Sequence, residues 1–354
     1  MWYENFWWHL VIAAVILIAY FFFFIVMFIW TERRVIGFFQ IRRGPNRIGP
    51  LGLFQGIADV IKVMLKEDIV PNKTDKILFW LSPLMAFVPV MMILAVIPFS
   101  KGFQLVDLNV GIIYIAAVSS ISSVGVFLCG YACNNKYGLI GGMRGLAQFI
   151  SYEIPMLLVL ISLVISSGTM SVNGIVAAQS LPNIIFMPLA FVCYFISSLA
   201  EINRTPFDVM ECDSEIVAGF NIEYSGMKFA MLYLVEYGEA VVMSTLVATF
   251  FLGGYKGIFI DGPIPLLIKM VIVFLFILWI RATLPRLTVE KSMSLCWKFL
   301  LPLALFNLLF TAVRITFFPD LAQWIVVLVS IVMTVLIIYL WSGLYKPGRE
   351  LQHE

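Results

Sequence analysis

Charge is what this 354-residue sequence has least of. Asp, Glu, Lys and Arg together make up 12% of it, about half the share in a soluble domain. A water-exposed surface needs more, so a soluble enzyme, a fibre, a disordered chain and a nucleic-acid-binding protein are all excluded. Histidine is nearly missing: His9 and His353 lie near the two ends, which leaves no place for histidine acid–base catalysis or a His-ligated metal or haem. The five cysteines (Cys129, Cys133, Cys193, Cys212 and Cys296) are scattered. Cys129 and Cys133 share a helix face, but no His or further Cys joins them, so all five read as small apolar side chains and not as metal or cluster ligands. Residues 1–7 lack the basic stretch of a cleavable signal, so the first helix is expected to be an uncleaved span. No internal repeat of 20–50 residues and no low-complexity segment is visible.

What is present is hydrocarbon. Hydrophobic residues reach 62%, with 31 Phe and 17 Met. Spanning a bilayer takes about 20 mostly apolar residues, and helices satisfy their backbone there without water. Nine segments fit: 8–30, 77–98, 110–131, 150–167, 184–200, 229–252, 264–280, 299–318 and 322–341. The fourth and fifth are short, and Pro319, Asp320 and Leu321 join the last two as a tight hairpin. If that pair is not split, the count is eight. The expected fold is an all-α polytopic membrane protein: a bundle of about nine transmembrane helices with an amphipathic interface helix and ordered cytoplasmic loops, forming a single integral membrane domain over 1–354.

The basic residues fix the sides. The loops after the first, third, fifth and seventh helices, with the C-terminal tail, hold 19 Lys or Arg. The N-terminus and the remaining loops hold 2, or 4 when Lys269 and Arg314, inside helices near that side, are added. Positive loops stay inside, so the N-terminus is expected outside and the C-terminus in the cytoplasm.

Three regions concentrate the polarity. The loop 31–76 opens with Glu32, Arg33 and Arg34 and continues Arg42-Arg43-Gly44-Pro45-Asn46-Arg47-Ile48-Gly49-Pro50. Its prolines and glycines demand a fixed non-helical path, which plain attraction to anionic lipid would not need. From Leu53 to Glu67 the pattern is amphipathic, with Phe54, Ile57, Ala58, Ile61, Met64 and Leu65 on one face and Asp59, Lys62 and Lys66 opposite. That reads as a helix lying in the membrane interface. The second region, 201–228, carries six acids (Glu201, Asp208, Glu211, Asp213, Glu215 and Glu223) against Arg204 and Lys228. Apolar neighbours such as Phe207, Ile216 and Phe220 argue for a folded, partly buried loop, in which clustered carboxylates repel one another and can pass protons. The third region lies inside the membrane. Glu236 and Glu239 share one face of the sixth helix with Tyr233 a turn earlier, and Glu153 is expected in the first turn of the fourth. Such acids are costly in hydrocarbon and read as a proton relay; the structural alternative is a polar contact between helices. A rigid basic corner, Trp279 to Arg286, opens the loop 281–298.

In order along the chain, ERRVIGFFQIRRGPNRIGPLGLFQGIADVIKVMLKED, GGMRGLAQFISYE, AEINRTPFDVMECDSEIVAGFNIEYSGMKFAMLYLVEY and WIRATLPR resemble the H-subunit family of proton-pumping NADH:quinone oxidoreductase, respiratory complex I. The resemblance runs collinearly from about residue 30 to 300. It implies a subunit that forms much of a quinone chamber and joins the redox arm to the membrane arm. The chamber would be lined by Arg33, Arg42, Asp59 and Tyr233, with Arg281 and Arg286 nearby. An acidic route would run through Asp59, Glu211, Glu215, Glu201, Glu153 and Glu236, with Asp213 and Glu223 in the same string and Arg204 balancing it. Quinone would be the substrate. This chain would bind no cofactor of its own, because FMN and iron–sulfur clusters belong to partner subunits. The partners implied are the peripheral quinone-site subunits and the antiporter-like pump subunits, within membrane lipid and without nucleic acid; alone the chain would catalyse nothing. Departures from the family pattern fall at Thr288, Glu290 and Lys291, whereas Asp213 replaces a common Glu and keeps the charge. Two other readings stand beside this one: a related membrane subunit of a [NiFe] hydrogenase or of a ferredoxin- or F420-linked dehydrogenase, and an independent ion or solute carrier.

Overall fold

The computed structural model describes the backbone of residues 2–210, 213–257, 261–318 and 323–344, and their side chains apart from 2–7, 9, 10, 213, 214, 323 and 336–344. The chain is an all-α membrane protein. Among the described residues seven helices are long and apolar enough to cross a bilayer, and two shorter apolar helices, over Pro188–Glu201 and Trp324–Val335, complete nine segments.

The first helix, α1 (Trp2–Phe39), runs well past its expected end. Glu32, Arg33 and Arg34 therefore lie on its last turns and not in a loop. Beyond it the chain turns back on itself, and Arg42 N donates to Gly37 O at 2.8 Å. A Cβ on Gly44 would stand 2.9 Å from the Arg34 Cα, so only glycine lets the arginine loop pack against the helix it has just left. The interface helix α2 (Gln55–Met64) lies against α1, where Gly56 meets Val26.

α3 (Lys76–Leu94) starts on Asp75, whose carboxylate accepts from the Ile77 and Leu78 amides; it is an N-cap that satisfies otherwise orphaned donors. α4 (Gly111–Ala132) pairs with it so closely that a Cβ at Gly125 would come within 2.5 Å of Ala86 N. In lipid there is little hydrophobic force between helices, and small residues allow the close backbone approach that replaces it. α5 (Lys136–Ser167) begins at Lys136 and not at 150, capped by Asn135, and ends at Gly168 in the left-handed conformation (φ 70°). Glu153 therefore stands about five turns into the helix, in place of the expected first turn. Short α6 (Val172–Ala178) and α7 (Asn183–Phe186) lead to α8 (Pro188–Glu201). The acidic loop that follows contains the single turn α9 (Asp213–Ile216).

α10 (Gly226–Phe251) is the axis of the bundle: 83% of its most apolar stretch is buried inside the protein, against 22–50% for the other long helices. Its hydroxyls are satisfied within the helix, with Ser244 donating to Ala240 O at 2.6 Å and Thr245 to Val241 O at 2.7 Å. α11 (Pro263–Thr283) packs beside it and ends near Arg281. α12 (Val289–Leu295) passes through a π-helical turn at Cys296–Leu300 into α13 (Leu301–Phe317), so the eighth span begins at Val289 in place of 299. α14 (Gln323–Leu344) is the last element among the described residues. The expected hairpin residues Pro319, Asp320 and Leu321 lie outside the described residues.

Two lysines on the N-terminal side are tied to the backbone. Lys269 Nζ donates to the Gly254 and Lys256 carbonyls at 2.9 and 2.5 Å, and Lys256 Nζ donates to Ala177 and Gln179 carbonyls at 2.9 and 2.7 Å. Both ammonium groups tie the loop between α10 and α11.

Candidate functional site

The end of α1, the loop after α8, α10 and the end of α11 meet around a polar cavity of about 210 Å³. Arg33 and Arg42 line it with Tyr233, Glu236 and Arg281. Four of the six residues expected at a quinone site thus come together from distant parts of the sequence. Asp59 does not line the cavity. It pairs with Arg33 at 2.5 Å and accepts from Gln55 Nε2 at 3.1 Å, so α2 holds it at the rim. Arg286 lies apart, 3.9 Å from Glu215.

Glu32 is the pivot of the cavity wall. Its side chain is 5% exposed, and its Oε1 takes both the Arg204 Nη1 at 2.6 Å and the Arg281 guanidinium. Buried charges persist only when paired, and here one carboxylate is shared by two cations. Arg204 also lies over the Tyr237 ring, 4.4 Å from its centroid, a cation–π contact that lowers the cost of burying it. Arg204 Nη2 and Glu32 Oε2 are buried without a hydrogen-bond partner among the described residues. The wall therefore sets four arginines among Glu32, Asp208 and Glu236 and presents an uncommitted Arg204 donor, which suits an oxygen that gains negative charge. Arg204 pairs with Glu32 of α1, and Asp208 of its own loop lines the same cavity.

One turn further along α10 the chemistry changes. Glu236 lines the arginine cavity, while Glu239, about 4.5 Å along the axis, lines a second cavity with Glu201, Ser119, Ser122 and Ser123. This space is about 20 Å³, enough for about one water. Ser122 Oγ donates to Glu239 Oε1 at 3.0 Å, and Ser120 donates to Glu153 on the opposite side of α4. Glu201 lies within electrostatic reach of both Glu239 and Glu153. Three carboxyls from three helices thus interact, and Glu239 lies one turn of α10 beyond Glu236 of the arginine cavity.

The remaining expected residues divide. Glu215 is bound to Arg144 of α5 at 2.5 Å on the surface near Arg286. Glu223 accepts from Asn135 at the start of α5 at 2.8 Å, away from both cavities. Glu211 and the Asp213 side chain lie outside the described residues. Thr288, Glu290 and Lys291, where the family pattern is broken, lie at the start of α12 and do not line the cavity.

Among the described residues no group of three or more His, Cys, Asp or Glu could hold a metal ion. Cys133, just past α4, is pushed up to about 12, above all by burial, and so stays an inert thiol.

Two residues of this site carry little signal in the sequence. Glu32 stands out only as an acid at the head of a basic run, and Glu239 only through its i, i+3 relation to Glu236.

The sequence profile of the family described as NADH dehydrogenase matches residues 12–312. The H subunit of the NADH-quinone oxidoreductase of Dehalococcoides mccartyi (strain CBDB1) is 50% identical over 345 residues, 98% of each chain. Proteins of the same name from Brevibacillus brevis and Rickettsia typhi are 46% and 45% identical over 295 and 302 residues, in each case 82% of this chain and 88% of the relative.

Proposed function

Because this chain belongs to the NADH dehydrogenase family and is a membrane subunit of NADH-quinone oxidoreductase, we propose that its arginine cavity receives the quinone headgroup and that its interior carboxyls carry the resulting charge change into the membrane. The complex is an enzyme, and this chain is a multi-pass membrane part of it that acts with other subunits. FMN and iron–sulfur clusters in those partners deliver the electrons from NADH. The peripheral quinone-site subunits would complete the cavity on the loop side, and the antiporter-like subunits would lie beyond the carboxyls. In a bacterial cell membrane the N-terminus faces outside and the arginine loops face the cytoplasm.

Reduction adds two electrons to the quinone and leaves negative charge on its oxygens until two protons arrive. Arg204 and Arg281 stabilise that charge, since guanidinium remains protonated whatever the local field. Tyr233 stands at the same wall with a phenolic proton. As protons reach the oxygens the negative charge at the cavity disappears, and Glu236, lining the same space, experiences the difference directly. A carboxyl in a low-dielectric interior responds strongly to such a change, because Coulomb terms there are several times larger than in water. From Glu236 the response passes to Glu239, Glu201 and Glu153.

The observation that carries this reading is the division of labour on α10, with Glu236 in the charged cavity and Glu239 in the smaller acidic one. The names of the relatives favour a quinone-linked complex over a hydrogenase or a free-standing carrier. In the assembled complex reconstituted into liposomes, Glu236→Gln is expected to lower protons translocated per NADH oxidised far more than quinone reduction in uncoupled conditions. An unchanged ratio of protons to NADH would remove Glu236 from the route.

A further inference from the structure

On the side of the bundle opposite the arginine loops, α1, the α3–α4 connection and the start of α11 enclose a cavity of about 370 Å³. Ile16, Leu17 and Tyr20 form one wall, Phe99 and Phe103 another, and Leu267 a third. The polar tip of Tyr20 is turned onto Met270 Sδ at 3.0 Å, and its ring meets Phe99 at 4.9 Å between centroids. A lining of this kind does not hold water. Its size lies within the roughly 300–1,000 Å³ of sites that bury small organic ligands. It also adjoins an exposed apolar stripe of α1 that includes Ile12, Val15 and Ile16 itself, so it opens toward hydrocarbon.

A cation, Lys101, lies between the lining residues Ser100 and Phe103. Ser100 and Phe103 close a tight turn, with Phe103 N donating to Ser100 O at 3.1 Å, and put Lys101 and Gly102 at the tip. Gly102 takes φ 92°, which a side chain would resist. Four basic residues belong to this side of the molecule. Lys256 and Lys269 are tied to backbone carbonyls, and Arg314 reaches Ser166. Among the described residues only Lys101 of these four is left without a hydrogen-bond or ion-pair partner. An apolar cavity opening to lipid, with one uncommitted ammonium on the turn that lines it, matches the chemistry of a phospholipid.

We propose that this cavity is a bound-phospholipid site, in which one acyl chain lies against Ile16, Leu17, Phe99 and Leu267 while the phosphodiester rests on Lys101. The site is independent of quinone chemistry: Leu17 is about 24 Å along α1 from Arg33. Its role is to fill the seam between α1 and α11, the two helices that also carry Glu32 and Arg281.

The test uses the purified intact complex in nanodiscs containing phosphatidylglycerol with a diazirine at mid-chain, photolysed and mapped by peptide mass spectrometry. Labelling of residues 13–20, 99–105 and 263–267 is expected to exceed that of the exposed α14 face at Leu328 and Val332 by about fivefold, the ratio set by roughly 1 kcal/mol of preference. Ala13→Phe, which puts a ring into the cavity, is expected to abolish that excess and leave the α14 labelling unchanged. Lys101→Gln is expected to reduce it severalfold without altering NADH oxidation. Equal labelling of both faces, or an excess untouched by both substitutions, would overturn the proposal. So would labelling by a diazirine on an isoprenoid quinone tail that added phospholipid fails to displace, and so would an absence of label because a neighbouring subunit covers the cavity. Should Ala13→Phe fail to assemble, the wild-type pattern and Lys101→Gln decide.

Discussion

Glu32 is the residue on which the cavity wall depends. It holds Arg204 and Arg281 by one oxygen, and both partners come from elsewhere in the chain, Arg204 lying 172 residues away. Removing its charge leaves the buried Arg204 guanidinium without its counter-ion and next to that of Arg281. Breaking a buried pair in this way costs about 3–5 kcal/mol. Glu32→Gln is therefore expected to lower the thermal midpoint of the complex and raise the KM for quinone together. Glu32→Asp, which keeps the charge, should recover part of both. Nothing in the sequence pairs Glu32 with Arg204, because local pattern carries no information about contacts made across the fold. The same limit applies to Glu239. Its helix face is legible from the spacing, but the serines of α4 that enclose it are not, since hydroxyls in an apolar helix look like ordinary small packing residues. Ser122→Ala is expected to leave Glu239 with a weaker anchor. Proton translocation should fall by a smaller factor than in Glu239→Gln, and the two rates measured side by side check the order.

At the scale of helices, apolar periodicity locates the spans and misplaces their ends. α5 departs furthest from expectation, and the cause is physical. Its first turns read KYGLIGGMRG, poor in bulky apolar residues, so mean hydropathy falls below that of a span. Those glycines are there for contact: a Cβ at Gly141 would lie 2.8 Å from Gly219 Cα, and one at Gly130 would lie 2.4 Å from Gly138 O. The helix is longer than its hydrophobic run because tight packing, not oil, stabilises that half. Arg33 and Arg34 sit on a helix in place of a loop for a related reason, since a helix can continue into the interface once its charged residues find Asp59 and the Leu51 carbonyl. Gly125 gives a direct check on this view. Its missing Cβ lets α3 and α4 touch, and Ser122 on the same turn of α4 bonds both Ala86 O and Glu239. Gly125→Ala should force the helices apart at a cost of about 1–3 kcal/mol. A lower temperature of irreversible inactivation, with reduced proton translocation in the complex that survives, is the expected result.

For the whole molecule, the class of fold, the short amphipathic helix α2 and the gathering of arginines are all readable, because a membrane makes every charge expensive and so makes its position informative. Less readable is the partition of acids. Sequence proximity puts Glu215 and Glu223 in one string with Glu201, whereas the fold sends Glu215 to Arg144 and Glu223 to Asn135 and leaves Glu201 with Glu239 and Glu153. Two cavities lie one turn of α10 apart, with Glu236 lining one and Glu239 the other. The central claim is that reducing quinone in the first cavity changes the protonation of the group in the second. The most direct measurement is the infrared difference spectrum of the intact complex on reduction of bound quinone, recorded in the carboxyl stretching region. The account predicts a protonated-carboxyl signal that is lost in Glu239→Gln and retained in Glu223→Gln. A signal unchanged in Glu239→Gln, or one lost only in Glu223→Gln, would contradict it.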